Sequence, residues 1–290
     1  TPKSLTATAM YYYDTAILRD AAQLLGNEED AAKYTGQAEA VRQSFNRHLF
    51  HPDTNQYATG SQTANAIPLV WGLVDPTRFD AVLQNLVQEV KQRDYLTSGD
   101  VGFRFLLRAL ADNGRSDLVY QLTHRSDEPG YGYQIKQGAT SLTEAWDGRK
   151  VVSHNHCMLG HLQEWFHQEL LGIRRDPAAP AFQKIIIQPW PVGEIAWAKG
   201  YYDSPYGRIA CEWQRTDVSF TLRVEIPVNT TAMIHVPTSE AARITESGRP
   251  VADVQALTFI EAKNGFAVYK AGSGKYVFES PNKKGKGGGM

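Results

Sequence analysis

Between Gly130 and Gly172 the chain gathers residue types suited to chemistry on a sugar. Glu144 and Asp147 bracket Trp146, and Tyr131 and Tyr133 lie upstream in a glycine-punctuated stretch, Gly-Tyr-Gly-Tyr-Gln-Ile-Lys-Gln-Gly. Aromatic rings give flat apolar faces against which C–H groups stack, and a carboxylate beside them can move a proton. The competing reading is that these aromatics, Tyr131, Tyr133 and Trp146, plug the end of a helical bundle. Downstream, Ser153-His154-Asn155-His156 forms a second patch. Two histidines so placed suggest a metal only with a third ligand at matching spacing, and none follows. An imidazole that hydrogen-bonds a polar ligand at a helix mouth fits better, with Ser153 or Asn155 capping that helix. A third patch, Tyr95 to Gly102, also opens a helix, and Asp100 is either its N-cap or a ligand contact. Gln62 and Asn65, three apart on a helix, are expected to face solvent.

The elements that must position these groups fall into two kinds. Over residues 1–173 apolar residues recur at helical spacing. Leu5, Ala9, Tyr12, Tyr13, Ile17, Ala21 and Leu24 end at Gly26, and Ala31, Tyr34, Ala38, Val41, Phe45 and Leu49 follow an acidic first turn. Further helices are expected at about 61–73, 77–92, 101–112, 116–122 and 155–171, seven in all, paired as hairpins. Such pairs build a solenoid or a toroid. At Gly172 the pattern changes. The segment Arg174 to Pro180 cannot stay helical, and short alternating runs follow at 184–188, 195–202, 207–214, 218–226, 231–236, 256–260, 266–269 and 276–278. Separated by turn residues, they signify an antiparallel sandwich over 174–281. Residues 282–290 are rich in Lys and Gly and are expected to be a disordered tail.

The bulk properties of the 290 residues narrow the function classes. A net charge of -1 gives no basic surface for nucleic acid or an anionic membrane. No apolar run approaches the ~20 residues of a membrane span. Cys157 and Cys211 show no metal spacing and are expected to be buried free thiols. The chain opens on Thr1-Pro2 and displays no signal peptide, so its compartment stays open.

Four motifs together resemble the bacterial α-L-rhamnosidase family. They are Thr97 to Phe103 (TSGDVGF), Gly138 to Gly148 (GATSLTEAWDG), Ser153-x-Asn155-His156 with Gly160 and Glu164-Trp165-Phe166, and Leu171-Gly172-Ile173. The resemblance extends more loosely over nearly the whole chain. It implies part of an (α/α)6 toroid of helical hairpins followed by a β-sandwich, and hydrolysis of terminal α-L-rhamnosyl linkages with inversion. It places Glu144 on the general base and His156 on a histidine that contacts the sugar, with Trp146 shaping the pocket. Asn155, Asp100 and Tyr131 join these as expected substrate contacts. No metal or other cofactor is implied, and the partner is a rhamnosylated glycoside or polysaccharide. The family's acid lies in an Asp- and Glu-rich motif that Asp14 and Asp20 do not match. The chain therefore looks like a C-terminal fragment lacking that acid, weak by itself, which pairs with itself or with the missing N-terminal part of the same protein. Two rival readings stand beside it. One is another toroid enzyme, a uronyl hydrolase, lyase or epimerase, for which Lys136, Arg149 and Lys150 are the nearby cations. The other is a non-catalytic carbohydrate-binding module.

Overall fold

The computed structural model describes residues 1–148 and 152–282. Arg149, Lys150 and the tail beyond Asn282 lie outside the described residues. The chain divides into two compact units, the first ending at Leu162 and the second beginning at Gln163.

The first unit is built of helical hairpins. α1 (Lys3–Leu24) and α2 (Glu28–Leu49) pack along buried Leu5, Ala9, Ala22, Ala38 and Phe45. α2 starts where the Asn27 side chain accepts from the Asp30 N–H at 3.1 Å, and its acidic first turn suits the helix dipole. A two-strand clip, β1 (Phe50–His51) with β2 (Gln56–Tyr57), leads into α3 (Gln62–Val70), which pairs with α4 (Phe79–Arg93). The third hairpin joins α5 (Asp100–Ala111) to α6 (Ser116–His124). α3 packs against both α1 and α5, so the first members of successive hairpins neighbour one another, the arrangement of a toroid. Along its outer side α1 exposes Met10, Ile17, Leu18 and Leu24.

Two features depart from the expected pattern. The glycine-rich stretch after α6 contains a short helix, α7 (Tyr131–Lys136). The single helix expected over 155–171 is instead a 3-10 turn (Cys157–His161), one α turn, α8 (Leu162–Trp165), and a π-wound stretch (Phe166–Leu170). Apolar periodicity does not distinguish these windings. The carbonyls of Leu170 and Leu171 are taken by the Trp213 indole N–H at 2.7 Å and the Cys211 thiol at 3.1 Å, so the helix ends in contact with a sheet.

The second unit is two sheets. β3 (Ile173–Arg175), β4 (Lys184–Ile187), β8 (Thr231–Pro237), β11 (Leu257–Lys263) and β12 (Phe266–Ala271) form one, in the order β11-β12-β8-β4-β3. β5 (Trp197–Ser204), β6 (Gly207–Arg215), β7 (Ser219–Ile226), β9 (Thr245–Glu246), β10 (Arg249–Pro250) and β13 (Gly274–Pro281) form the other, ordered β10-β9-β13-β7-β6-β5. Alternation sends Ile209, Cys211 and Trp213 inward with Phe220, Leu222, Val224 and Phe278. All pairings are antiparallel except β4 with β8, which run parallel. β3 occupies part of the expected linker, because Ile173 to Arg175 is extended and pairs with β4. At Gly172, φ is 76° and a Cβ would lie 2.1 Å from the Gln188 carbonyl carbon, so only glycine fits this crossing. The two cysteines do not share one environment. Cys211 is buried, with its thiol pKa pushed well up by desolvation, whereas Cys157 is exposed.

Candidate active site

The loop that carries Glu144 is closed on itself by a short ladder. The Glu144 N–H donates to the Ser153 carbonyl at 2.8 Å, and the His156 N–H donates to the Leu142 carbonyl at 3.0 Å. The Ser141 hydroxyl donates to the carbonyl of His154 and adds another tie. Glu144 and His156 therefore sit on paired segments although twelve positions separate them. The Glu144 side chain is exposed, and its Oε2 accepts the Ser153 N–H at 3.2 Å. That hydrogen bond orients the carboxylate, and among the described residues Oε1 takes no hydrogen bond. Asn155 is exposed too, its N–H donating to the Ser153 hydroxyl at 3.3 Å.

Asp100 reaches the same loop from α5. Its Oδ2 lies 3.5 Å from His156 Nε2, ion-pair range when the imidazole is protonated. It is not the N-cap of α5, since Gly99 holds that position and Asp100 is the first helical residue. There its Oδ1 accepts the N–H of Val101 at 2.8 Å, which fixes the carboxylate near the helix start, where the dipole favours negative charge. Nor does Ser153 or Asn155 cap the following turn. His156 occupies the cap position, without a side-chain cap.

Beneath the loop the aromatics are packed rather than presented. Trp146 is 7% exposed. Its indole N–H donates to the Ser98 carbonyl at 2.6 Å, and its ring meets Phe103 and Tyr131 edge-on at 4.9 and 5.1 Å. Tyr131 donates its hydroxyl to the Leu159 carbonyl, and burial raises its phenol pKa far above the usual range. Both rings thus form the floor of the site, which is the plugging role. Tyr133 lies beside them on α7, only part-buried.

Gln62 and Asn65, expected to face solvent, are fully buried. Gln62 donates to the Tyr95 carbonyl at 3.0 Å and accepts from the N–H groups of Thr97 and Ser98 at 2.9 and 3.3 Å. One amide thereby satisfies the backbone of the loop that delivers Asp100. Asn65 does the same for the β2 loop, accepting from the Tyr57 N–H and donating to the Gly60 carbonyl. Helical spacing gave no sign of this. The available signal was a polar pair set into an otherwise apolar run, Ala64, Ala66, Ile67, Leu69, where burial demands hydrogen-bond partners. Gly102 completes the seat: a Cβ there would lie 2.0 Å from Thr63 Oγ1, so α3 and α5 touch at this point.

Among the described residues no three His, Cys, Asp or Glu side chains converge as metal ligands, and His154 and His156 gain no third partner of that kind. No helix among them is long and apolar enough to cross a membrane.

The family model for the bacterial alpha-L-rhamnosidase 6 hairpin glycosidase domain matches residues 1–170, and that for the family's C-terminal domain matches residues 172–250. The chain belongs to the bacterial alpha-L-rhamnosidase family. An alpha-L-rhamnosidase from Streptomyces avermitilis is 30% identical over 288 residues, covering 96% of this chain and 27% of the relative. One from Formosa agariphila is 27% identical, covering 97% and 31%. The crystal structure of the Streptomyces avermitilis enzyme complexed with L-rhamnose superposes with a TM-score of 0.86 at 29% identity, over 96% of this chain and 27% of that one. That of the Dictyoglumus thermophilum alpha-L-rhamnosidase gives 0.85 at 31%, over 97% and 32%. The chain thus spans less than a third of the length of these relatives.

Proposed function

We propose that this rhamnosidase-family chain carries the base-bearing portion of a site that hydrolyses terminal α-L-rhamnosyl linkages with inversion. Glu144 is the general base: it takes a proton from the water that attacks the anomeric carbon. His156 and Asp100 hydrogen-bond sugar hydroxyls, with Asn155 at the rim. Trp146 and Tyr131 shape the floor under the ring without stacking on it. The observation that carries this reading is the ladder between residues 142–144 and 153–156, which pairs the segment bearing the exposed, anchored Glu144 carboxylate with the segment bearing His156, itself in ion-pair range of Asp100. A fixed carboxylate with one free oxygen is what proton abstraction from water requires.

Inversion also needs a protonated carboxyl group about 6.5–9.5 Å from the base, to serve the leaving oxygen. In this reading that acid comes from outside residues 1–290. The apolar outer side of α1, with Met10, Ile17 and Leu24 exposed, supports further hairpins packing there, since soluble chains seldom leave such a stripe uncovered. Chain alone against an aryl α-L-rhamnoside is the test, with the released anomer followed by NMR. Hydrolysis is expected to run about 10²–10⁴-fold below that of a full-length family member, the usual worth of one general acid, and to vanish in Glu144→Gln. Rapid turnover by the chain alone would refute the external acid. Hydrolysis that survives Glu144→Gln would remove the base, and rhamnose binding with no hydrolysis in any longer context would point to a binding module.

A further inference from the structure

The outer face of the six-stranded sheet differs from an ordinary solvated face. Alternation along β5 turns Trp197, Lys199, Tyr201 and Asp203 outward, while Ala198 is buried on the other side. Trp197 is 66% exposed and Tyr201 51%. Four residues along an extended strand place them roughly 13 Å apart. Two large rings held open to water on one strand stand out on a face whose other outward residues are mostly polar.

The register shows what lies between them. Trp197 stands opposite Gln214, which pairs in turn with Thr221, and Lys199 stands opposite Glu212, next to Arg223. Tyr201 stands opposite Ala210, whose small side chain leaves a dip before Glu225 and Lys275. A groove of about 320 Å³ opens on the same face toward β13, lined by Lys199, Ala210, Glu212, Arg223, Glu225 and Lys275. Four of its five charges are matched across strands, Lys199 to Glu212 at 3.1 Å and Lys275 to Glu225 at 3.4 Å, while Arg223 has no ion pair among the described residues. Beside it Arg208 pairs with Asp203 at 2.8 Å and lays its guanidinium 3.8 Å from the Tyr201 ring centre, which fixes that ring.

We infer that this face binds a neutral oligosaccharide chain laid across β5, β6, β7 and β13, with one sugar ring stacked on Trp197. The charge pattern selects the class. Ion pairs leave this face little net charge with which to attract a polyanion or a polycation, yet they offer both donors and acceptors to hydroxyl groups. The separation of the two rings suits an oligosaccharide rather than a monosaccharide. The surface is distinct from the Glu144 loop and would hold a polymeric substrate near the protein whatever the fate of the base assignment.

Affinity electrophoresis of the chain in gels containing neutral arabinan, galactan or xyloglucan tests the proposal, with polygalacturonate as the charged control. Retardation is expected in at least one neutral gel. It should weaken by about tenfold or more in Trp197→Ala, the scale of losing one buried contact of hot-spot quality. Ala210→Arg, which fills the groove and leaves both rings, should weaken it similarly. Trp197 is exposed, so the thermal midpoint and any rate on a small aryl rhamnoside should stay unchanged. No retardation in any neutral gel, retardation that both substitutions leave intact, or retardation by polygalacturonate alone would overturn it. So would a concentration-dependent dimer dissolved by Trp197→Ala, which would make the face a contact between copies.

Discussion

The loop that bears Glu144 and the floor beneath it are neighbours in sequence but opposites in physical character. On the loop, Glu144 and Asn155 are exposed, and Glu144 keeps one carboxylate oxygen outside its anchoring hydrogen bond. In the floor, Trp146, Tyr131 and Gln62 are packed, and each polar atom named above has a partner. A group that must exchange protons with water has to keep hydrogen-bonding capacity in reserve. A group that positions it must have none to spare, because an unpartnered buried dipole costs about 1–3 kcal/mol. The two sets therefore respond differently to substitution, and that contrast can be broken or sharpened by mutation.

Trp146 offers the largest effect. Removing its ring opens a cavity between Phe103 and Tyr131 and strands the Ser98 carbonyl. Trp146→Ala should destabilise the first unit by about 3–5 kcal/mol, the range for a large buried aromatic. Chemical denaturation read by far-ultraviolet circular dichroism measures it. A loss below about 1 kcal/mol would mean the ring is not part of the packed floor.

Gly102 and Gln62 come next. In Gly102→Ala the added methyl meets Thr63 Oγ1 and, at 2.8 Å, Thr63 Cβ, which is part of a short branched side chain with no room to retreat. Overpacking of this kind costs about 1–3 kcal/mol, and combining it with Thr63→Ala should recover part of that. Gln62→Leu keeps the volume but leaves the N–H groups of Thr97 and Ser98 and the Tyr95 carbonyl without their partner. A loss of about 1–3 kcal/mol is expected, with faster amide hydrogen exchange at Thr97 and Ser98 as the signature that separates it from simple core damage. Unaltered exchange at those two amides would show that Gln62 does not hold the loop.

The same contrast explains what was legible in the sequence. α1 to α6 and most strands follow from periodicity, because a buried face and an exposed face repeat at the period of the backbone. The motif residues around Glu144 were legible through their family resemblance, which extends to the order of the motifs along the chain. Roles set by tertiary context were not. Nothing local distinguishes a Trp146 that stacks on a ligand from one that fills a floor, since both call for an aromatic. Gln62 looked solvent-facing because hydrophobic spacing scores a glutamine as polar whether or not its amide is fully bonded inside. The helix expected over 155–171 kept its apolar rhythm while its winding changed, and its end meets Cys211 and Trp213, some forty residues away. The groove lined by Lys199, Ala210 and Lys275 depends on cross-strand register, which single-strand alternation does not specify.

The smallest expected effect separates the two regions most sharply. Glu144→Gln preserves the shape of the side chain, and its amide oxygen can still accept the Ser153 N–H. The residue is exposed, and the rungs from its own N–H and from His156 are backbone bonds that the substitution leaves intact. Stability should therefore stay within about 0.5 kcal/mol of the parent, as for surface positions without a structural role. Measured on the same chain as Trp146→Ala, this gives a null beside a large loss for two residues only two positions apart. If Glu144→Gln instead destabilised the chain by more than about 1 kcal/mol, its carboxylate would belong to the scaffold. A charge needed to keep the loop folded is not one that can be given up to a proton in each turnover, so that result would count against Glu144 as the base as well as against the division between loop and floor.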